Sequence, residues 1–156
     1  MVLFPSLKDF LILLNEYEVE YLVIGGYAVA IHGYVRATGD ADIWINPTPE
    51  NADKMLTVML HFGFGEYDFK LEDFLATTET GFISFGDEPF KIELLTKTFG
   101  VTFPEAYLHR KIAEIDAINV NFMGFDALIA NKKALSREKD LNDLAHLIDP
   151  KSINLT

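Results

Sequence analysis

Tyr21-Leu-Val-Ile-Gly-Gly-Tyr-Ala-Val-Ala-Ile-His-Gly-Tyr-Val-Arg-Ala-Thr-Gly-Asp-Ala-Asp-Ile-Trp-Ile45 is the stretch whose reading decides the fold. Tyr21 to Ile24 reads as a buried strand, halted by Gly25-Gly26. Tyr27 to Tyr34 reads as a short alanine-rich helix with Gly33 near its end. A second strand, Ala41 to Ile45, opens behind Asp40 and is closed by Asn46-Pro47. Glycines without Cβ atoms let a backbone approach a phosphate closely, and a following helix offers free N–H groups and a favourable dipole. The plainer reading is a tight strand-to-helix turn with no ligand. The pair does not match Gly-x-Gly-x-x-Gly, and no Walker A lysine follows it.

Side chains two apart on a strand share a face, so Asp40 and Asp42 project together while Ala41, Ile43 and Ile45 face the core. Their Cα atoms stand ~6.6 Å apart at ~3.3 Å per residue. Carboxylates so placed can converge on two metal ions ~3.5–4 Å apart, the arrangement that clamps attacking and leaving oxygens in phosphoryl transfer. Oxygen ligands favour magnesium or manganese. A bare Asp-x-Asp is more commonly a solvated strand start with two surface acids. Following a glycine pair, it becomes more specific. Lys91-Ile-Glu-Leu-Leu95 offers the third acid, with Ile92 and Leu94 facing the core and Glu93 pointing the other way. Taken alone, Glu93 reads as an exposed strand glutamate.

Working outward, Ser6 and Asp9 have the spacing of a capping box, before a helical face of Leu7, Phe10, Leu11 and Leu14 that ends near Tyr17. Thr48-Pro49-Glu50 is a helix start, with Met55, Leu56, Met59 and Leu60 as the apolar stripe and Gly63 and Gly65 as the stop. Phe69 to Thr78 reads as a short helix and loop beside the site. Gly81 to Phe85 and Phe90 to Leu95 read as strands joined by Gly86-Asp-Glu-Pro89, and Lys111 to Asp116 and Ile118 to Met123 as another pair. Phe125 to Leu135 and Arg137 to Ile148 read as consecutive helices, with Ser136 capping the second and Asp149-Pro150 stopping it. No internal repeat or linker interrupts the 156 residues, and one α+β domain with a helical C-terminus is the expected organisation.

Composition narrows the function classes. A net charge of -11 argues against broad non-specific nucleic-acid binding, although a local basic patch can still hold a nucleotide or an RNA end. With no cysteine, disulfides, thiolate catalysis and Cys-based zinc sites are excluded. Pro5, Lys8 and Asp9 break the apolar N-terminus, which does not read as a signal peptide, and no apolar run approaches the ~20 residues of a membrane helix. A cytoplasmic protein without a membrane partner is the expectation. The four histidines lack metal-binding spacing, and His32 reads as a packing or hydrogen-bonding residue. Trp44, on the side of Asp42, reads as a shield for the sheet rather than a base-stacking platform.

An apolar strand ending in Gly-Gly, an Asp-x-Asp followed by an apolar residue, and an acid within a later apolar strand resemble the DNA polymerase β-type nucleotidyltransferase superfamily. Arg36-Ala-Thr38-Gly-Asp40-Ala-Asp42 is similar to its small stand-alone prokaryotic members, including the AbiEii-like toxins of toxin–antitoxin systems. Leu128-Ile-Ala-Asn-Lys132-Lys-Ala-Leu-Ser-Arg137-Glu-Lys-Asp140-Leu-Asn-Asp143-Leu resembles the closing Lys…Arg-x-Lys-Asp-x-x-Asp segment of the same group. The resemblance covers about Tyr21 to Leu147 and implies a mixed, strongly twisted sheet flanked by helices. It also implies that Gly25, Gly26, Arg36, Thr38 and Lys132 serve the nucleotide, while Asp40, Asp42 and Glu93 hold two Mg2+ or Mn2+ ions. Many relatives have aspartate at the position of Glu93, which here is also a candidate acceptor of the incoming hydroxyl's proton.

Arg36 and Lys132 read evenly between contacts to the triphosphate, stabilising the charge that develops on it, and no role in the site. Arg137 reads as a further triphosphate contact or as the partner of Asp140, Asp143 or a site carboxylate, and leans to the structural ion pair. Lys133, Lys139, Arg110 and Lys111 read as solvated surface. The expected activity is transfer of a nucleoside monophosphate from a nucleoside triphosphate to a hydroxyl, with release of pyrophosphate. The acceptor is left open among an RNA end, a protein and a small molecule, and a toxin–antitoxin partner protein is among the expected partners. The alternatives are a non-catalytic antitoxin or binding module of the same fold, and a nucleotide-binding regulator without transfer.

Overall fold

The structure, a computed structural model, describes residues 1–75 and 82–147. Expectations that fall on 76–81 and 148–156, including parts of Phe69 to Thr78, Gly81 and Asp149-Pro150, lie outside the described residues. Helix α1 spans Pro5–Glu16. It starts at Pro5 behind an uncapped Phe4, not at a Ser6 capping box. Proline pre-sets the helical φ and brings no orphan N–H of its own, so the start needs no side-chain cap.

Strand β1 (Tyr21–Ile24) runs directly into α2 (Gly25–Ile31). The glycines are thus the first turn of the helix and not a linker before it. Strand β2 (Asp40–Ile45) leads to α3 (Pro49–Phe62), where Thr48 Oγ1 accepts from the Asn51 N–H at 3.2 Å as expected of a cap. A 3-10 turn at Leu71–Phe74 packs on α3, and its Phe74 is fully buried. Strands β3 (Phe82–Asp87) and β4 (Phe90–Leu95) form a hairpin. Helix α4 (Phe103–Leu108) follows, then the hairpin β5 (Lys111–Ile115) and β6 (Ile118–Phe122). Thr102-Phe-Pro-Glu105 announces α4 much as Thr48-Pro-Glu announces α3, a signal the sequence reading passed over.

Helices α5 (Phe125–Leu135) and α6 (Glu138–His146) close the described chain. Ser136 does not cap α6. It adopts a left-handed conformation (φ 50°) at the end of α5 and donates its hydroxyl to the Lys133 carbonyl. The cap of α6 comes from inside the helix, where Asp140 Oδ2 accepts from the Arg137 N–H at 3.1 Å.

The six strands form one mixed sheet in the order β3-β4-β2-β1-β6-β5. The β2–β4 and β1–β6 pairs are parallel, and the other neighbours antiparallel. Ala41, Ile43 and Ile45 are fully buried on the core face, as alternation requires. Phe10 of α1, Phe62 of α3 and Phe85 of β3 meet at ring distances of 5.1–5.7 Å, tying those helices to the sheet. On the opposite face Trp44 is buried edge-on against Phe103 of α4, 5.0 Å between centroids. It shields the sheet and presents no stacking surface. Among the described residues no helix is long and apolar enough to cross a membrane.

Candidate active site

The strand registers build the site. Antiparallel pairing sets Ile24 opposite Asp42, so Gly25 begins beside that carboxylate. Parallel pairing sets Asp42 level with Glu93 and Asp40 level with Lys91. Glu93 stands close enough to Asp42 to raise its carboxyl, by hydrogen bonding to the protonated form and by charge. Two of the three expected acids therefore meet at one point, on adjacent strands separated by about fifty residues of chain, a sheet contact that neither strand's own sequence specifies.

Both glycines are required by what they touch. A Cβ on Gly25, which has φ +64°, would lie 2.3 Å from Asp42 Oδ2. A Cβ on Gly26 would lie 2.4 Å from Thr38 Oγ1 and 3.3 Å from Arg36 Nη1. The glycine pair thus lets the Asp42 carboxylate and the 36–38 loop close on the first turn of α2. Thr38 Oγ1 itself donates to the Asp40 carbonyl at 3.3 Å.

Gly25, Gly26, Arg36, Thr38, Asp40, Asp42, Glu93, Lys132, Arg137 and Lys139 line one cleft of about 400 Å3. Every residue assigned to the site from sequence faces this cleft, and Lys139, read there as surface, joins them. A larger cavity of about 710 Å3 lies between α4 and the start of α5, but its charged side chains, Glu105, His109 and Asp126, are all exposed. The chemistry is concentrated in the smaller cleft.

The electrostatics of the cleft are uneven. Burial pushes the Asp42 carboxyl up to about 7, helped by the hydrogen bond and charge of Glu93 and by Asp40, while Lys139 pulls the other way. Asp42 Oδ1 is buried and has no hydrogen-bond partner. An orphaned carboxylate oxygen beside a second acid is a site short of positive charge, and its all-oxygen donor set suits Mg2+ or Mn2+. Among the described residues no group of three His, Cys, Asp or Glu is gathered closely enough to hold an ion. The pair Asp42–Glu93 is what the fold presents, not a finished three-acid cage.

The cations behave differently. Arg36 grips Asp143 with both arms, Nε–Oδ1 at 2.6 Å and Nη2–Oδ2 at 2.9 Å. Lys132 is almost fully buried, with Nζ 3.0 Å from Asp140 and 3.1 Å from Asp143. Arg137 pairs with Asp140 at 2.6 Å, the ion-pair role its position suggested. Burial alone would raise the Asp140 and Asp143 carboxyls, but hydrogen bonds from Arg137, Arg36 and Lys132 outweigh it and hold both below the usual range. His32 Nε2 bonds to the Met123 carbonyl at 2.8 Å and its ring packs edge-on to Phe125, so it is a structural histidine.

Glycines at a strand end, acids in register on neighbouring strands and a helical lid of cations invite comparison with known folds. A candidate nucleotidyltransferase from Thermotoga maritima superposes with a TM-score of 0.60 at 15% identity, covering 89% of this chain and 88% of that one. The chain has a nucleotidyltransferase fold. A nucleotidyltransferase-like antigenic protein from Paracoccidioides brasiliensis is similar at a TM-score of 0.50 and 15% identity, over 90% of this chain and 73% of that one. No family model and no curated protein matches the chain. At such identities the likeness concerns the fold, and the function is argued from the cleft.

Proposed function

We propose that the protein is a metal-dependent nucleotidyltransferase, moving a nucleoside monophosphate from a nucleoside triphosphate to a hydroxyl and releasing pyrophosphate. The observation that carries this reading is the Asp42–Glu93 pair, level with each other on parallel strands against the Gly25-Gly26 turn. Asp42 and Glu93, with Asp40 at the rim, are the residues that would hold Mg2+ or Mn2+, two ions in the fullest version of the site. When bound, the metal supplies positive charge to the phosphate oxygens.

The chain's own residues do the rest. Gly25 and Gly26, at the start of α2, let the backbone approach the triphosphate closely because they carry no side chains. The acceptor oxygen forms a bond to the α-phosphorus in line with the bond to the bridging oxygen, which breaks and leaves as pyrophosphate. Glu93 accepts the proton of the incoming hydroxyl. The acceptor class is an RNA end, a protein side chain or a small molecule. The Arg36 to Asp42 and Lys132 to Asp143 segments support membership of the AbiEii-like group, and with it a partner antitoxin.

Labelled triphosphates incubated with the protein, Mg2+ and cell extract test the reading. Transfer of label by the wild type and its loss in Asp42→Asn are expected. A folded protein that transfers no label from any triphosphate sinks the enzyme. A second reading, a non-catalytic nucleotide-binding module or antitoxin, draws on the incomplete gathering of the three acids. Magnesium-dependent triphosphate binding without pyrophosphate release would favour it.

A further inference from the structure

Among the described residues four cationic side chains line the cleft: Arg36, Lys132, Arg137 and Lys139. The first three are committed. Arg36 is spent on Asp143, Lys132 on Asp140 and Asp143, and Arg137 on Asp140. Lys139 differs from all of them. Among the described residues it forms no ion pair, and its side chain is exposed. Its backbone is nevertheless fixed, because the adjacent Asp140 is fully buried and held by Lys132 and Arg137. The ammonium lies near enough to Asp42 to favour that group's charged form.

We propose that Lys139 is the cation of the cleft that binds the β- and γ-phosphates of the triphosphate, while Lys132, Arg36 and Arg137 form the lock that holds α6 over the site. The proposal rests on the nucleotidyltransferase reading and names the residue that anchors its donor. A lysine suits the task. It carries a compact charge with three donors on a flexible stem, so rotation alone can aim it at a phosphate oxygen in the cleft. Lys132 lacks that freedom, since leaving its two aspartates would strand buried charge.

Calorimetry with a triphosphate methylene-bridged between the α- and β-phosphorus, in Mg2+, tests this directly. Lys139→Met should weaken binding about tenfold or more, the effect of losing one charged hydrogen-bond partner. Lys139→Arg should restore most of it, and Lys133→Met, exposed on α5 outside the cleft, should bind like wild type. The matching monophosphate should bind Lys139→Met and wild type alike, because it lacks the groups the ammonium contacts. Melting temperature should stay within about a degree of wild type for an exposed, unpaired side chain. Triphosphate binding by Lys139→Met equal to wild type overturns the proposal. So does equal weakening of monophosphate and triphosphate, which would mark a structural effect. If the wild type itself binds no triphosphate, the nucleotidyltransferase reading falls and takes this inference with it.

Discussion

Asp42 and Glu93 on the sheet, and Asp140 and Asp143 on α6, are two carboxylate pairs treated in opposite ways. The α6 pair is completely buried and saturated by three cations, which hold both carboxyls below the ordinary range. The sheet pair receives no committed cation, holds the Asp42 carboxyl above its ordinary range, and leaves Asp42 Oδ1 without a partner. A protein that builds one fully compensated cluster has the means to compensate the other. On the proposed function the uncompensated pair is the one whose partner would come from outside, while the compensated pair holds the fold together.

The largest expected effect breaks the sheet pair. Asp42→Asn should lower nucleotidyl transfer by about 10^3-fold, the scale for losing a group that stabilises transition-state charge. The same change should stabilise the metal-free fold at alkaline pH. The Asp42 carboxyl stands at about 7 in the folded state against 3.8 as an ordinary aspartate. With the folded value raised, its favourable contribution is complete below about pH 4 and drains away as pH rises through 7. Urea unfolding of the metal-free proteins should show the advantage of Asp42→Asn over wild type widening by about 2 kcal/mol between pH 5 and pH 8. No widening would mean that Asp42 is charged at little cost, and that the contrast between the pairs is false.

The α6 pair breaks through stability instead. Lys132→Met removes one cation from between two buried aspartates and should cost about 3 kcal/mol in urea unfolding. If it stays as stable as wild type and loses triphosphate binding, Lys132 belongs to the substrate and the lock dissolves. Protonation attacks the same cluster. Because both carboxyls are held low, their stabilisation is present above the unfolded aspartate value near 4 and is lost as pH falls through the folded values. Gly25→Ala should come next, at about 1–2 kcal/mol for a left-handed backbone. It should also reduce transfer, because the new methyl displaces Asp42 Oδ2.

The sequence carried some of this and hid the rest for physical reasons. Alternation along β2 and β4 placed Asp40, Asp42 and Glu93 on outward faces, since a strand's parity is local. That β4 lies beside β2, level at Asp42 and Glu93, depends on long-range pairing. The destination of Lys132 was hidden for a related reason. Its partners lie eight and eleven residues away on a different helix, so only the packing of α6 on α5 decides between phosphate and aspartate. Lys133 and Lys139 are both exposed lysines, but only the placement of α6 over the cleft separates surface from site. Ser136 looked like a cap because Ser-Arg-Glu has a cap's composition, and the left-handed end of α5 claimed it first.

The smallest effect sharpens the comparison from inside the α6 cluster. Arg137 makes a short pair with Asp140, yet its side chain is 51% exposed, whereas that of Lys132 is 3% exposed. Water already screens Arg137, and Asp140 keeps Lys132 when Arg137 is gone. Arg137→Ala should therefore cost less than about 1 kcal/mol, despite a 2.6 Å contact shorter than either Lys132 pair. A loss as large as that of Lys132→Met would show that contact length, not burial, sets the strength of this cluster. The sheet pair would then have to be weighed by the closeness of Glu93 and not by the burial of Asp42.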